Sequence, residues 1–434
     1  MSTTIKIKDG DGNDKYYQVN GAGTLANPYR NVTEGIFFDS PNIDAFARLR
    51  ISNPETIFDS KQLFNTENGE PFWDDAEVSG GSTTSTYTKD EASTVIQVAA
   101  STAGKRVRQT YMSFNYQPGK SQLIFMTGTL DKSGGGTGIT RGFGQFNDDN
   151  GIFLNDNEGT YEFVIRSSYT GSAVDNNIAQ ASWNLDTMDG NGDSGVTLDF
   201  TKSQILVFDY EWLGVGRVRC GFVIGGAVIY AHEFNHSNIN EGVYMSTPNL
   251  PLRYEIANDG TGVQSELEHI CASVIAEGGS QDIGVLRYES NGSTNVDANV
   301  VGTIYALVGI SLQTGATIGG VIKQLTASLI ATTADDFEWQ IILNPTVAGI
   351  FIYSAHPNSI AATAVASGSS NTVTGGIPIT GGYGSQSAAM STPLNVAEYV
   401  GEDLSGTPDR LVLCVRPLGA NLDIYGSLTW RELS

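Results

Sequence analysis

Charge is scarce in this sequence, and most of it has one sign. Charged residues make up 16% of the 434 residues, against about 25% in an ordinary soluble domain. The 47 acidic residues outnumber the 24 basic residues, which gives a formal net charge of −23. A phosphate backbone repels such a chain, so the composition argues against nucleic-acid binding and is typical of a surface kept soluble by acidity.

Cysteine is also scarce. Cys220, Cys271 and Cys414 are an odd number without a CxxC pair, which excludes a disulfide framework and a zinc knuckle and favours small buried hydrophobes. The start MSTTIKIKDG lacks the basic and apolar regions of a signal peptide, so we expect a soluble chain made without a secretion signal.

One segment, residues 300–322, has no charge and is long enough to raise the question of a membrane span. Its glycines, its Thr and Ser residues and Gln313 make it too polar for a bilayer helix. We therefore expect two strands around a turn at residues 313–315, and no membrane insertion.

The sequence is rich in glycine and in short runs in which apolar and polar residues alternate. The chain has 51 glycines and 40% hydrophobic residues, which together are typical of an all-β protein with many turns. Residues 4–19 predict a hairpin around DGDGND. Residues 267–275 match a helical period as well as a strand, and their β-branched composition favours a strand. Seven or more further runs between residues 85 and 277 predict a β-sandwich, a jelly roll of the lectin type.

The runs divide the chain into three predicted domains. Residues 1–75 form an N-terminal hairpin and an irregular anchoring belt, residues 76–279 the central sandwich, and residues 280–434 a second β-sandwich-like domain. The belt lacks a periodic core, so we expect it to pack onto the sandwich or a neighbouring subunit through six anchors: Phe46, Leu49, Phe58, Leu63, Phe72 and Trp73. In the last domain, residues 349–353 are predicted as a strand and residues 362–390 as an exposed arm or contact loop.

Several phrases in this order resemble a family of tailed-phage virion proteins common among marine phages. They are NIDAFARLRISNPETIFDSKQ, YQPGKSQLIFMTG, FDYEWLGVGRVRCGFVIGG and YMSTPNLPLRYEI, and QIILNPTVAGIF continues the likeness into the C-terminal half. The N-terminal hairpin is similar to a short module that recurs in such proteins. The stretch around FDYEWLGVGRVRCGF is similar to the lectin-like jelly roll of concanavalin and laminin modules, as a fold analogy alone.

The resemblance implies a non-enzymatic structural component of a bacteriophage virion, located on the exterior as tail, fibre or capsid decoration. Its partners would be other virion proteins and further copies of itself. It implies no catalytic residues. An alternative from another class is a host-glycan-binding or glycan-cleaving tail component that uses the lectin-like sandwich.

The sequence His232-Glu233-Phe234-Asn235-His236 is a literal HExxH. Zinc proteases need this spacing because a helix places both histidines on one face. Here the motif follows the β-branched run FVIGGAVIYA and leads into a polar loop, and His269 and His356 have no third-ligand spacing. We therefore interpret it as a polar strand end.

Asp209 and Glu211 in VFDYEWLG are predicted on one face of a strand, with Phe208, Tyr210 and Trp212 on the other. Glycosidases of sandwich fold place paired carboxylates in this way. The third acidic residue expected further along is absent, so we interpret the pair as a solvated face over an aromatic core.

Two acidic loops have the alternating spacing of calcium ligands: Asp9, Asp11 and Asn13, and further on Asp189, Asn191 and Asp193. Neither has the glycine and glutamate of an EF-hand, and turns explain both. Whether calcium binds at residues 189–193 stays open. No catalytic, cofactor-binding or metal residue is predicted, and no cofactor.

The low charge of the C-terminal half predicts self-association. Edge strands expose unpaired N–H and C=O groups, and charge is the usual device that keeps them apart. Residues 300–322 and 359–393 carry no charge. We therefore expect a homo-oligomer, a trimer, because cyclic symmetry reuses one patch around an axis.

Overall fold

The computed structural model describes residues 2–8, 14–20, 30–31, 52–63, 72–313, 315, 319–385, 390–393 and 399–433. Apart from a 3-10 turn at Gln180–Ser182, the regular structure of these residues is all strand. They include no helix long and apolar enough to cross a membrane. The predicted all-β class is confirmed. The chain forms two compact units, Met1–Asn53 and Pro54–Ser434.

The first unit holds a small antiparallel sheet. Its strands are β1 (Ser2–Lys8), β2 (Asp14–Asn20) and β3 (Arg30–Asn31). β1 and β2 pair from Ser2 with Asn20 to Lys8 with Asp14, so the predicted hairpin is confirmed. Asp9, Asp11 and Asn13, the first predicted calcium loop, lie outside the described residues.

The second unit begins with a sandwich of two antiparallel sheets, of seven and eight strands. Its strands are β4 (Glu55–Lys61), β5 (Trp73–Gly80), β6 (Thr83–Thr88), β7 (Ser93–Val98), β8 (Gly104–Thr110), β9 (Gln122–Ser133), β10 (Ile139–Phe146), β11 (Gly151–Asn157), β12 (Thr160–Ser167), β13 (Val174–Ala179), β14 (Gln204–Tyr210), β15 (Val218–Ile224), β16 (Ala227–Phe234), β17 (Leu252–Asn258) and β18 (Ser265–Ala276).

The chain crosses repeatedly between these sheets, which is the connectivity of a jelly roll. The seven-stranded sheet has the order β13-β12-β11-β10-β17-β8-β5, and the other β16-β15-β14-β9-β18-β7-β6, with β4 paired to β18. Successive side chains of each strand point to opposite faces of its sheet, and those on the inner face form the core. In β14, Leu206, Phe208 and Tyr210 point between the sheets, while Asp209 points outward. The ambiguous segment around Leu267 is a strand, as predicted.

A second sandwich follows in the same unit, with two six-stranded sheets and one short strand pair. Its strands are β19 (Gly284–Ser290), β20 (Val296–Ala298), β21 (Tyr305–Leu312), β22 (Val321–Ala331), β23 (Phe337–Leu343), β24 (Thr346–Val347), β25 (Ser354–Ala355), β26 (Ala361–Val365), β27 (Val373–Thr374), β28 (Ile377–Gly384), β29 (Met390–Pro393), β30 (Tyr399–Val400), β31 (Arg410–Pro417) and β32 (Leu422–Leu433). The first sheet runs β19-β32-β22-β29 and the second β25-β26-β21-β31-β23-β28, and β20 and β30 pair with β32 and β22.

Two predictions for this sandwich are wrong. The exposed arm or contact loop expected at residues 362–390 contains sheet strands in its described part, because β26 pairs with β21 and β28 pairs with β23, although residues 367–370 and 374–378 are exposed. Residues 349–353, predicted as a strand, form an extended strap outside the sheets. Phe351 and Tyr353 of the strap pack over Gly309, where any side chain would collide with the Tyr353 ring.

The structure distributes the six predicted anchors unevenly. Phe58 and Trp73 are buried in the core of the first sandwich, whereas Leu63 and Phe72 are exposed. Phe46 and Leu49 lie outside the described residues. The domain boundary expected at residue 75 falls inside β5, and the one expected near residue 279 falls between β18 and β19.

Substitution of a buried anchor and of an exposed anchor tests this assignment. Phe58→Ala removes a ring that contacts Phe114 at 4.9 Å between centroids, and we expect it to lower the free energy of unfolding by about 3–5 kcal/mol. Leu63→Ala, at a side chain that is 67% exposed, should change it by less than about 0.5 kcal/mol. Calorimetry on the full chain measures both, and equal effects would contradict the assignment.

Candidate functional site

Asp209, the first of the predicted carboxylate pair, is bound within the protein. It lies buried on the outer face of β14. The Arg219 guanidinium donates to its Oδ2, and Tyr230 donates its hydroxyl to the same oxygen at 2.9 Å. The guanidinium also stacks over the Tyr230 ring at 4.2 Å. This carboxylate neutralises an arginine on the neighbouring strand.

Glu211 does not complete a catalytic pair with Asp209. β14 ends at Tyr210, so Glu211 lies in the following loop, with an exposed side chain. Its backbone carbonyl accepts the Tyr244 hydroxyl at 3.1 Å, and its carboxylate accepts the Arg217 N–H at 3.4 Å. The predicted aromatic side is confirmed for Phe208 and Tyr210, which lie in the core.

The two histidines of the HExxH sequence are separate and buried. His232 is on β16, where its Nδ1 accepts the Asn184 N–H at 3.2 Å, and burial lowers its pKa to about 4. His236 follows the strand and donates from Nδ1 to the Gly216 carbonyl at 2.6 Å, and burial lowers its pKa too. The ring of Phe234 lies beside both imidazoles, at 4.5 and 6.4 Å between centroids. The strand geometry agrees with the interpretation of a polar strand end.

The loop at residues 189–193 is held by its own hydrogen bonds. Asp189 accepts the Thr187 hydroxyl at 2.8 Å and the Asn191 N–H at 3.0 Å, which lowers its pKa, the Asn191 N–H being the larger cause. Asp186 closes the loop by accepting the N–H groups of Met188 and Ser194, both at 2.7 Å. Within the described part of the chain, no group of three or more His, Cys, Asp or Glu side chains has an arrangement that could hold a metal ion.

Further hydrogen bonds join the two sandwiches. The Leu404 N–H donates to Asp74 at 2.8 Å, the Glu402 N–H donates to the Tyr111 carbonyl at 3.1 Å, and Asn249 donates its side-chain amide to the Gly319 carbonyl at 2.8 Å. These contacts enclose two cavities that local sequence motifs do not indicate.

The first cavity is acidic. It has a volume of about 470 Å³, and Asp74, Asp403 and Asp409 are among its lining residues. Asp409 is buried and accepts the Asn344 side-chain amide at 2.7 Å. Burial raises the pKa of Asp409, and the negative charges of Asp403 and Asp74 raise it further. The pKa of Asp409 therefore lies above its ordinary value of 3.8.

The second cavity, which we call the junction cleft, has a volume of about 430 Å³. The first sandwich contributes Tyr116, Trp212, Thr247, Pro248 and Asn249 to its wall, and the second contributes Val285, Ile360, Glu432 and Leu433. A mainly apolar cleft of this size between two domains, with a few polar groups, is the usual form of a small-molecule site.

Trp212 and Glu432 are the side chains with binding chemistry in the junction cleft. The Trp212 indole is half-buried and donates its Nε1–H to the Met245 carbonyl at 3.1 Å, and its backbone N–H donates to the Tyr116 hydroxyl at 2.9 Å. Glu432 accepts the Trp430 indole N–H at 3.1 Å and the Ser359 hydroxyl, both on Oε1. The sequence does not indicate this site, because residues 212 and 432 belong to different sandwiches and reach the same cleft only where the two sandwiches meet.

Comparison with known proteins gives structural neighbours only. No family model matches the chain, and no curated protein matches it significantly. An endo-1,3-beta-glucanase from Streptomyces sioyaensis is 9% identical, with 54% of this chain and 99% of that chain covered and a TM-score of 0.34. The legume lectin-like domain from Entamoeba histolytica is 10% identical, with 51% and 98% covered and a TM-score of 0.29.

A phage protein is also among the neighbours. The CBM2 module of the evolved Dit of Lactobacillus casei BL23 phage J-1 is 8% identical, with 54% of this chain and 100% of that chain covered and a TM-score of 0.33. Identities below 25% and TM-scores below 0.5 do not establish a shared function.

The acidic cavity predicts a pH dependence. A carboxyl whose pKa is raised in the folded state contributes stability that is present below its ordinary pKa of 3.8 and is lost as the pH rises through the raised value. The wild type should lose this stability as the pH rises from about 4 to 7. Asp409→Asn has no carboxyl to ionise, so its thermal midpoint minus that of the wild type should increase over the same range. Calorimetry at several pH values measures this difference. Asp59→Asn, at an exposed carboxylate, is the control, and a constant difference for Asp409→Asn would contradict the argument.

Proposed function

We propose that this chain is a non-enzymatic structural component on the exterior of a phage particle, a tail, fibre or decoration protein that acts by protein–protein assembly. The observation that carries the proposal is one uncovered sheet edge of the second sandwich, the edge at β19. Among the described residues, β19 pairs only with β32, so its other edge bonds to no neighbouring strand. The resemblance of the sequence to phage virion proteins supports the same conclusion.

The outward face of β19 is apolar. Leu286 and Tyr288 lie on it and are 52% and 67% exposed. The charged residues of the strand point to the opposite face, where Arg287 donates to the Asn358 carbonyl at 2.7 Å and Glu289 accepts the Thr363 hydroxyl at 3.0 Å. Natural proteins usually blunt an edge strand with charge or proline. Because both charged side chains of β19 are engaged on the opposite face, its outward face is suited to burial against a neighbouring subunit.

The environment of the candidate catalytic groups supports a non-enzymatic role. The Asp209 carboxylate is bound by the Arg219 guanidinium. His232 and His236 are buried, and both imidazoles lie beside the Phe234 ring. A glycosidase needs two free carboxylates on either side of a substrate bond, and a zinc protease needs two histidines on one helical face. Neither arrangement is formed by these residues.

Purified particles provide the direct test of location. If the chain is a building block, quantitative mass spectrometry of purified virions should detect it at many copies per particle, at a constant ratio to the major capsid protein. Detection only in infected-cell lysate, and not in mature particles, would contradict the proposal.

Self-association follows from the uncovered edge, and we propose a trimer. Light scattering coupled to chromatography should give a mass three times that of the 46.2-kDa chain. Leu286→Lys places a charge on the outward face of β19 and should shift the protein toward monomer. Ile350→Lys, at an exposed aliphatic residue outside β19, is the matched control and should leave the mass unchanged. A monomeric wild type at micromolar concentration would contradict self-association in solution.

A second candidate function is the binding of a host glycan, and the junction cleft is the observation that favours it. Its wall combines an indole with a carboxylate and a hydroxyl group, from Trp212, Glu432 and Thr247. Sugars present both a C–H face and hydroxyl groups to such a wall. Binding to an immobilised glycan array without release of reducing ends would separate this function from glycan cleavage.

A further inference from the structure

We infer that the junction cleft is a saccharide-binding site in which Trp212 stacks on the sugar ring and Glu432 accepts its hydroxyl groups. The inference rests on the second candidate function, glycan binding, and is independent of the proposed role in the virion. It names a site that neither sandwich contains by itself.

The indole of Trp212 is held in place before any ligand arrives. Its ring nitrogen is bound to the Met245 carbonyl, and its backbone N–H to the Tyr116 hydroxyl. The Tyr116 ring packs against it edge-on, at 6.4 Å between centroids, and is itself buried. A fixed, half-buried aromatic ring loses little freedom on binding, so it can stack on a ligand at low entropic cost.

Glu432 supplies the polar side of the cleft. The residue is only 7% exposed, and both hydrogen bonds that it accepts from described residues go to Oε1. Its Oε2 has no hydrogen-bond donor among those residues. This oxygen is not among the buried atoms that lack a partner, so it is open to the cleft, where a ligand hydroxyl can donate a charge-assisted hydrogen bond to it.

Thr247 offers the complementary group. Its Oγ1 accepts the Asn249 N–H at 3.1 Å, which leaves its hydroxyl proton able to donate. A sugar hydroxyl both donates and accepts, so one ligand could bond to Glu432 and to Thr247.

The same features select against other classes of ligand. An anion would meet the Glu432 carboxylate in a protein of net charge −23. A purely apolar ligand would leave Glu432 and Thr247 without partners. A quaternary ammonium ion is usually held by an aromatic cage, and here Tyr116 is buried, so Trp212 supplies the only open ring of the described wall. A neutral saccharide carries no negative charge, supplies hydroxyl groups to Glu432 and Thr247, and needs only one aromatic ring for stacking.

The test measures binding to the full chain by ligand-observed NMR and titration calorimetry. The probes are glucose, galactose, mannose, rhamnose, N-acetylglucosamine and their β-linked disaccharides, with tetramethylammonium as the competing class. Glu432→Gln keeps the shape of the side chain and removes its charge, and Val285→Phe adds bulk at a half-exposed wall position. Glu338→Gln, at a carboxylate bound to Arg416 outside the cleft, is the matched control.

We expect at least one saccharide to bind, with affinity reduced roughly tenfold or more by Glu432→Gln and by Val285→Phe, and unchanged by Glu338→Gln. Saccharide binding that neither cleft variant weakens would overturn the site and leave glycan binding intact. Binding of tetramethylammonium alone would overturn the ligand class. If no probe binds, both the inference and glycan binding fail, while particle mass spectrometry still decides the virion role.

Discussion

The packing of two sheets across a dry core is the constraint on which the rest of this structure depends. Each strand sends alternate side chains into that core, as Leu206, Phe208 and Tyr210 do from β14. The side chains on the outer face of the sheet are then either exposed to water or packed under another segment of the chain. In the second sandwich, β21 is buried on both faces, and Phe351 and Tyr353 of the strap at residues 349–353 cover it at Gly309.

The same constraint explains why acidic side chains of a charge-poor protein are so often engaged internally. An outward position next to other strands leaves a carboxylate partly desolvated, and a partner must compensate for the lost water. Asp209 is paired with Arg219 in this way, and Asp156 with Arg141 at 2.9 Å. Asp209 resembles a catalytic carboxylate in the sequence, but its geometry, like that of Asp156, is that of a structural ion pair.

Joining two sandwiches in one compact unit creates surfaces that neither has alone. Gly401 lies so close to the Tyr111 carbonyl that any side chain would collide with it, so the junction is tight at that point. Where the contact is looser, the junction encloses the acidic cavity and the junction cleft. β19 takes part in both proposals through opposite faces: Val285 lines the junction cleft, whereas Leu286 and Tyr288 lie on the outward face proposed for assembly.

The sequence by itself determined the all-β class, the N-terminal hairpin and most strands, because alternation and turn residues act over a few neighbouring positions. It also indicated that HExxH lacked its helix, since β-branched residues precede His232. Only the tertiary structure decided that Phe58 is core while Leu63 is exposed, and that residues 362–384 contain the strands β26, β27 and β28. The junction cleft depends on contacts between residues as distant as Trp212 and Glu432, and no local pattern in a single sequence encodes such a contact.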